Sequence, residues 1–217
     1  MPEVSRSGAR RALGLLALAL ILSMSTWFSA SAVLPQLREE WGLGATAGAW
    51  LTIAVQLGFV AGALVAAVLN LADVRSSRLL IVGGSLGAAA ANLGLLAASG
   101  AAEAIPLRFL TGFFLAGVYP PALKLMSTWF VRGRGTALGI LVGALTVGSA
   151  APHLVNGLGG LDWPTVVVAT SALTAAGALV VHLGVHEGPY PFPRAVFDLR
   201  QAGLVFRNRG VRLASLG

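Results

Sequence analysis

The sequence predicts an all-α membrane protein with six transmembrane helices, and three observations support that prediction. Only 11% of the 217 residues are charged, 56% are hydrophobic, and the mean hydropathy is +0.82. Long apolar runs alternate with short segments, and the Lys and Arg residues collect in those segments. Because a soluble domain carries about 25% charged residues, this composition excludes an ordinary water-soluble globule.

Six apolar stretches are each long enough to cross a bilayer, which takes about 20 residues in an α-helix. The hydrocarbon contains no water, so the backbone groups of each stretch must bond within it, which requires a helix. The predicted spans are 12–34, 47–69, 79–98, 105–127, 136–157 and 164–185. They form a bundle over residues 12–186, between a tail of residues 1–11 and a segment of residues 187–217.

The positive charges predict which ends of the spans face the cytoplasm, because Lys and Arg are retained on that side. Nearly all of them fall on one side: Arg6, Arg10, Arg11, Arg75, Arg78, Lys124, Arg132, Arg134, Arg194, Arg200, Arg207, Arg209 and Arg212. The connections on the other side hold one cation, Arg38. We therefore expect a multi-pass protein of the cell (inner) membrane, in contact with lipid and with both termini in the cytoplasm.

Both ends of the chain allow two interpretations. Ser29-Ala-Ser-Ala32 could be the cleavage site of a signal peptide, but the charge distribution favours an uncleaved first helix. Residues 195–209 form a basic amphipathic pattern typical of a helix on the membrane surface, with a disordered tail as the alternative. Residues 211–217 are apolar again and resemble the start of a seventh helix that is cut short.

Several chemistries are disfavoured by the sequence. The chain has no cysteine and three scattered histidines, so we expect neither a metal site nor a cofactor. The net charge of +7 reflects membrane topology rather than nucleic-acid binding. Residues 83–87 fit G-x-S-x-G, but Ser85 lies inside an Ala/Gly-rich span and lacks the strand-turn-helix that a serine nucleophile needs. With His182 it forms only a weak protease pattern, and we expect no enzyme.

Arg108 in the fourth span is the leading candidate for a solute or proton pathway. An intramembrane charge is costly and marks such a pathway by default. Arg108, Gly112, Ala116 and Pro120 recur every four residues and share one helix face,. The alternative is an arginine that extends towards the lipid headgroups.

Polar and glycine patterns mark further positions in the spans. Close packing of helices is predicted at small residues spaced by four: Gly58 and Gly62 in the second span, Gly112 in the fourth, and Gly135, Gly139 and Gly143 in the fifth. Thr146, Ser149, His153 and Asn156 form one polar stripe that should face a cavity or a partner helix,. The pathway candidates are Arg108, His153, Gln56, Trp27, Tyr119 and Ser149.

The segment 70–78, Asn-Leu-Ala-Asp-Val-Arg-Ser-Ser-Arg, resembles the major facilitator loop pattern G-x-L-A-D-R-x-G-R-R at Asp73 and Arg78. Charged groups at helix ends form charge-assisted contacts that can favour one conformation. By this resemblance Asp73 and Arg78 form a conformational latch, unless Asp73 is simply solvated. The fourth span also resembles the family's R-x-x-x-G pattern at Arg108 and Gly112.

The run from Gly117 to Gly135 is similar to the nitrate/nitrite and cyanate transporter branches of the major facilitator superfamily. The resemblance implies the N-terminal half of a twelve-helix fold, built from two inverted three-helix repeats. It also implies alternating-access transport of a small polar or anionic solute, a proton or other coupling ion, and a missing C-terminal six-helix half as partner. The alternatives are drug or metabolite efflux, and a non-transporting fragment or half-unit that assembles with a second half.

Overall fold

The computed structural model describes residues 6–157, 161–190 and 210, and the side chains of residues 7–150, 161–190 and 210. Within this part of the chain all regular structure is helical. The helices are α1 (Arg6–Ser23), α2 (Ser25–Ala32), α3 (Leu34–Glu40), α4 (Ala45–Val68), α5 (Leu71–Val74), α6 (Ser77–Leu93), a 3₁₀ turn (Gly94–Ala97), α7 (Ala101–Leu115), α8 (Tyr119–Ser127), α9 (Arg134–Gly157) and α10 (Trp163–Gly184).

Five of the predicted spans correspond to helices long and apolar enough to cross a membrane. Among the described residues these are Ser7–Ala32, Ala45–Val68, Ser77–Ala97, Ala101–Ser127 and Trp163–Gly184. The span predicted over 136–157 coincides with α9, whose described apolar part, Arg134–Ala150, is shorter. That this helix also crosses the bilayer stays a prediction. The amphipathic helix over 195–209 and the apolar end at 211–217 lie outside the described residues.

Two of the spans are interrupted, and prolines follow the second interruption. The first span breaks at Met24, between α1 and α2. The fourth breaks over residues 116–118, and Pro120 and Pro121 fall in the first turn of α8. Proline is favoured there because it lacks only an N–H that has no intrahelical partner. Both breaks lie beside the cavity described below.

Helices α4 and α7 pack with their backbones in contact, as the glycine spacing predicts. A Cβ added to Gly58 would lie 1.9 Å from the carbonyl oxygen of Phe109, and one added to Gly112 would lie 1.8 Å from that of Val55. A Cβ on Gly62 would lie 2.4 Å from the carbonyl oxygen of Phe113. Real Cβ atoms do not approach so closely, so glycine is required at this crossing.

The second predicted glycine ridge does not pack as expected. A Cβ added to Gly135, Gly139 or Gly143 would meet no atom within 4 Å among the described residues. Helix α9 instead turns its opposite face into the bundle, with Leu141 buried and the Cβ position of Gly148 only 2.9 Å from the carbonyl oxygen of Ile21. The spacing identifies small-residue faces, but it does not identify which of two faces meets a neighbour.

Candidate functional site

A cavity of about 350 Å³ opens beside the break between α1 and α2. Its walls come from that break and from α4, α8 and α9. The lining residues are Met24, Trp27, Phe28, Phe59, Tyr119, Leu145, Thr146 and Ser149.

The cavity wall is largely aromatic. The ring centroids of Trp27 and Phe59 are 5.1 Å apart with the planes at 65°, an edge-to-face contact,. Trp27 also lies 6.2 Å from Phe28, centroid to centroid. The two aliphatic hydroxyls donate to their own helix, Thr146 to the carbonyl of Val142 at 3.2 Å and Ser149 to that of Thr146 at 2.6 Å. The cavity therefore offers a solute apolar surface and few free donors.

The structure brings three of the predicted pathway residues together, since Trp27, Tyr119 and Ser149 all line this cavity. Gln56 is exposed and is not among the lining residues. His153 lies in α9, but its side chain is outside the described part of the chain. The sequence does not predict that Phe28 and Phe59 line the cavity, because an aromatic residue in an apolar span looks the same in the sequence whether it faces lipid or a cavity.

Arg108 is fully buried and forms hydrogen bonds within the bundle rather than extending to the headgroups. Its Nη1 donates to the carbonyl of Thr26 at 2.9 Å, with Ser29 Oγ and Asn92 Oδ1 each at 3.4 Å. Its Nη2 donates to the carbonyl of Trp27, and its Nε to that of Leu51 at 3.4 Å. Arg108 does not line the cavity, but it bonds to the backbone of a residue that does.

Asn92 connects Arg108 to α10. Its Oδ1 accepts a 2.6 Å hydrogen bond from Ser29 Oγ, and its amide nitrogen donates to Ser171 Oγ at 2.9 Å and to Thr170 Oγ1 at 3.2 Å. All of these side chains are buried. The polar groups of four helices thus satisfy one another inside an otherwise apolar bundle, as burial requires.

Ser85 takes part in a contact between helices. Its Oγ lies 3.1 Å from Ser23 Oγ and is fully buried, whereas His182 is exposed. The two side chains are therefore not arranged as a nucleophile and base. The Ser/Gly pattern at residues 83–87 serves helix packing, with the Cβ position of Gly84 2.6 Å from the carbonyl oxygen of Phe114.

At the end of the bundle that the charge pattern places in the cytoplasm, Asp73 forms an ion pair with Lys124 of α8. Lys124 also donates to the carbonyl of Ala72, and Arg78 donates to the carbonyl of His182. The structure thus holds the two predicted latch residues in separate contacts. From the sequence, Lys124 marks the cytoplasmic side and lies in the run similar to the transporter branches, but it is not predicted to pair, because nothing local links it to a carboxylate 51 residues earlier.

The segment after α10 is bound to the end of α8. Trp129 Nε1 donates to the carbonyl of His186 at 3.0 Å, and the backbone N–H of Gly188 donates to Thr128 Oγ1 at 2.8 Å. The N–H of Tyr190 donates to the carbonyl of Thr128 at 3.0 Å. The start of the 187–217 segment is therefore fixed to the bundle.

Comparison with known families decides what this helical bundle is. A family model described as Major Facilitator Superfamily matches residues 16–216. The chain belongs to the Major Facilitator Superfamily. Its bundle of apolar helices and its multi-pass membrane location agree with that membership, and the family indicates a membrane transporter rather than an enzyme.

Two curated relatives carry transporter names. The chain is 31% identical over 209 residues to the "Uncharacterized transporter YgaY" of Escherichia coli O157:H7, a match covering 91% of this chain and 52% of the relative. It is also 31% identical over 178 residues to the "Putative uncharacterized transporter YgaY" of Escherichia coli strain K12, covering 80% and 44%. The chain thus spans about half the length of these Major Facilitator relatives.

A solved structure shares the fold. It is a bacterial homolog of the human lysosomal transporter Spinster in an inward-facing, unoccupied conformation, with a TM-score of 0.75 and 18% identity. The match covers 95% of this chain and 50% of that one. At that identity the likeness concerns the Major Facilitator fold alone.

Proposed function

We propose that this chain forms the N-terminal half of a secondary transporter, in which a small solute binds in the cavity between α2, α4, α8 and α9. The observation that carries the proposal is the cavity itself, which lies beside the break in the first span. Solute sites of secondary transporters are built beside such interrupted helices. The proposed mechanism is alternating access, in which two halves rock about the site and open it to one side at a time.

The proposal includes a sixth span and a second half. Helix α9 would be the fifth of six spans in two inverted three-helix repeats, and a second six-helix half would complete the cavity. The charge distribution supports an inner-membrane protein with both termini in the cytoplasm. The lengths of the relatives, about twice that of this chain, are consistent with a second half.

The solute is proposed to be small and polar or anionic, with a proton or another ion as the coupling species. Arg108 supports a negative solute because its charge is buried close to the cavity wall, and His153 is the proposed protonatable group in α9. Resemblance to the nitrate/nitrite and cyanate branches places small inorganic anions among the proposed solutes. The aromatic lining favours the alternative, which is efflux of a drug or metabolite through the same site.

The ion pair between Asp73 and Lys124 is proposed to act as the conformational latch, with Arg78 holding the end of α10. An ion pair between helix ends favours the conformation in which it forms. Breaking it would shift the balance between the inward-open and outward-open states.

Transport by the complete gene product tests the proposed function. Inverted and right-side-out membrane vesicles would be loaded or incubated with a solute panel, and accumulation measured with and without a proton gradient. We expect gradient-dependent movement of at least one solute, which Ser149→Trp in the cavity abolishes and the exposed Val131→Trp does not. Equal solute movement in vesicles with and without the protein would contradict the proposed transport function.

A further inference from the structure

We infer that the cavity binds an organic anion, specifically a small carboxylate with an aromatic or branched apolar body. This inference rests on the proposed transport site and gives its chemical class. It follows from two features, the aromatic wall of the cavity and the guanidinium of Arg108. Trp27 connects them, because it lines the cavity and its carbonyl accepts from Arg108.

The first step is the character of the wall. Four aromatic side chains, from Trp27, Phe28, Phe59 and Tyr119, line a cavity whose aliphatic hydroxyls already donate to backbone carbonyls. A strongly hydrated inorganic anion would lose its water there and gain few hydrogen bonds in return. A flat apolar body would instead gain contacts with the rings and release water from their faces.

The second step is the charge on Arg108. Its acceptors are three backbone carbonyls, one hydroxyl and one amide oxygen, all of them neutral. Within the described part of the chain no carboxylate bonds to it. A guanidinium has five N–H donors and no acceptor, so its partners stabilise the group without cancelling its charge.

The third step is the effect of that charge on the cavity. The carbonyl of Trp27, which accepts from Arg108, belongs to a cavity-lining residue. Because the dielectric constant inside the bundle is lower than that of water, the charge on Arg108 changes the potential at the cavity wall more strongly than it would in water. Among the residues that the structure describes, no acidic side chain lines the cavity, so the potential there favours an anion and disfavours a cation.

The fourth step is size. The cavity of about 350 Å³ is at the lower end of the range, about 300–1,000 Å³, of small-molecule sites. A benzoate-sized ion enters such a volume without filling it, so the volume admits an aromatic carboxylate, and the choice against nitrate rests on the aromatic wall. The carboxylate supplies the charge missing from the site, and the ring occupies the aromatic wall.

Binding of three probes of matched shape, together with nitrate as a small inorganic anion, tests this inference. The complete gene product would be placed in nanodiscs of zwitterionic lipid, and benzoate, benzyl alcohol, benzylamine and nitrate titrated by calorimetry with tryptophan fluorescence as a second readout. We expect benzoate to bind at least about tenfold more tightly than each of the others, which is 1.4 kcal/mol or more. Equal binding of benzoate and benzyl alcohol would remove the role of charge, and equal binding of nitrate would remove the apolar body.

Asn92→Asp provides a direct test of the charge argument. It replaces the amide beside Arg108 with a carboxylate of nearly the same shape and so gives the guanidinium a counter-ion. We expect benzoate affinity to fall about tenfold while benzyl alcohol affinity is unchanged. Asn70→Asp is the matched control. Asn70 lies just past the C-terminal end of α4, and that end is roughly 26 Å along the helix from Leu51, whose carbonyl accepts from Arg108,. The same loss in both variants would overturn the inference.

A second pair of variants covers the case in which Asn92→Asp fails to fold. Ser149→Asp places a negative charge on the cavity wall, and Ser149→Asn adds bulk of the same shape without charge. We expect the first to reverse the preference from benzoate to benzylamine and the second to retain it.

The proposed function is judged separately. Benzoate binding without transport in vesicles would contradict only that function, and transport of another solute without benzoate binding would contradict only this inference.

Discussion

At the scale of single residues, the buried polar groups in this bundle are matched almost entirely by one another. Asn92 occupies the centre of this arrangement, because its amide satisfies acceptors on α10 while its oxygen accepts from α2 and from Arg108. A buried donor or acceptor left without a partner costs about 1–3 kcal/mol. The charge on Arg108 is tolerated because these groups surround it.

We predict that Asn92→Ala destabilises the bundle by about 1–3 kcal/mol, since it removes the acceptor of Ser29 and the donor to Ser171 at once,. Thermal unfolding in detergent would show a lower Tm. Gln56→Ala, at an exposed position of α4, should leave the Tm nearly unchanged. Equal Tm values for the two variants would mean that the network contributes nothing to stability.

At the scale of the helices, glycine positions divide into two groups that the sequence does not distinguish. Gly58, Gly62 and Gly112 hold α4 against α7 at backbone contact, whereas Gly135, Gly139 and Gly143 have open space at their Cβ positions. Five of the six are spaced by four from another glycine, and Gly112 is spaced by four from Ala116. Only the orientation of each helix decides which glycine is required.

Gly112→Ala and Gly139→Ala should therefore have opposite effects. An added methyl at Gly112 would overlap the carbonyl oxygen of Val55, so α4 and α7 must separate, and we expect a loss of about 1–3 kcal/mol,. At Gly139 the methyl meets nothing within 4 Å, and alanine improves helix propensity by up to about 1 kcal/mol,. Thermal unfolding of the two variants decides the point, and an unaltered Tm for Gly112→Ala would contradict the α4–α7 contact.

The contact between α5 and α8 rests on the Asp73–Lys124 pair, whose side chains are 19% and 28% exposed. Partly exposed ion pairs contribute little, and we expect a coupling energy of about 1 kcal/mol or less. The measurement is a double-mutant cycle of Asp73→Asn, Lys124→Met and both together, followed by thermal unfolding. Strictly additive effects of the two substitutions would show that the pair does not couple.

At the scale of the whole molecule, the bundle requires that its ends face opposite compartments. The described loops after α5 and α8 carry Arg75 and Arg132, while the first turn of α7 carries Glu103. The absence of cysteine from the chain makes this testable, because each introduced thiol is the only one within residues 1–217.

We predict that a thiol at Val131→Cys reacts only from the cytoplasmic side and one at Gly100→Cys only from the outside. Both positions lie outside the helices; Val131 is 60% exposed, and a Cβ at Gly100 meets no atom within 4 Å. Labelling intact cells with a membrane-impermeant maleimide, before and after lysis, measures both. Labelling of the two positions from the same side would contradict the orientation derived from the basic residues.

The sequence by itself determined the membrane class, the existence of the helices and the family, because these depend on composition and on apolar runs that any bilayer protein must contain. It also identified Trp27, Tyr119 and Ser149, which share a cavity, and the three glycines at the α4–α7 crossing. Only the tertiary structure decided that Phe28 and Phe59 join them, that Arg108 bonds to Asn92 and the carbonyl of Trp27, and that Asp73 pairs with Lys124. Those facts depend on how each helix is rotated about its axis and on where it breaks. Both are decided by contacts between residues that are far apart along the chain, and such contacts form only when the helices pack.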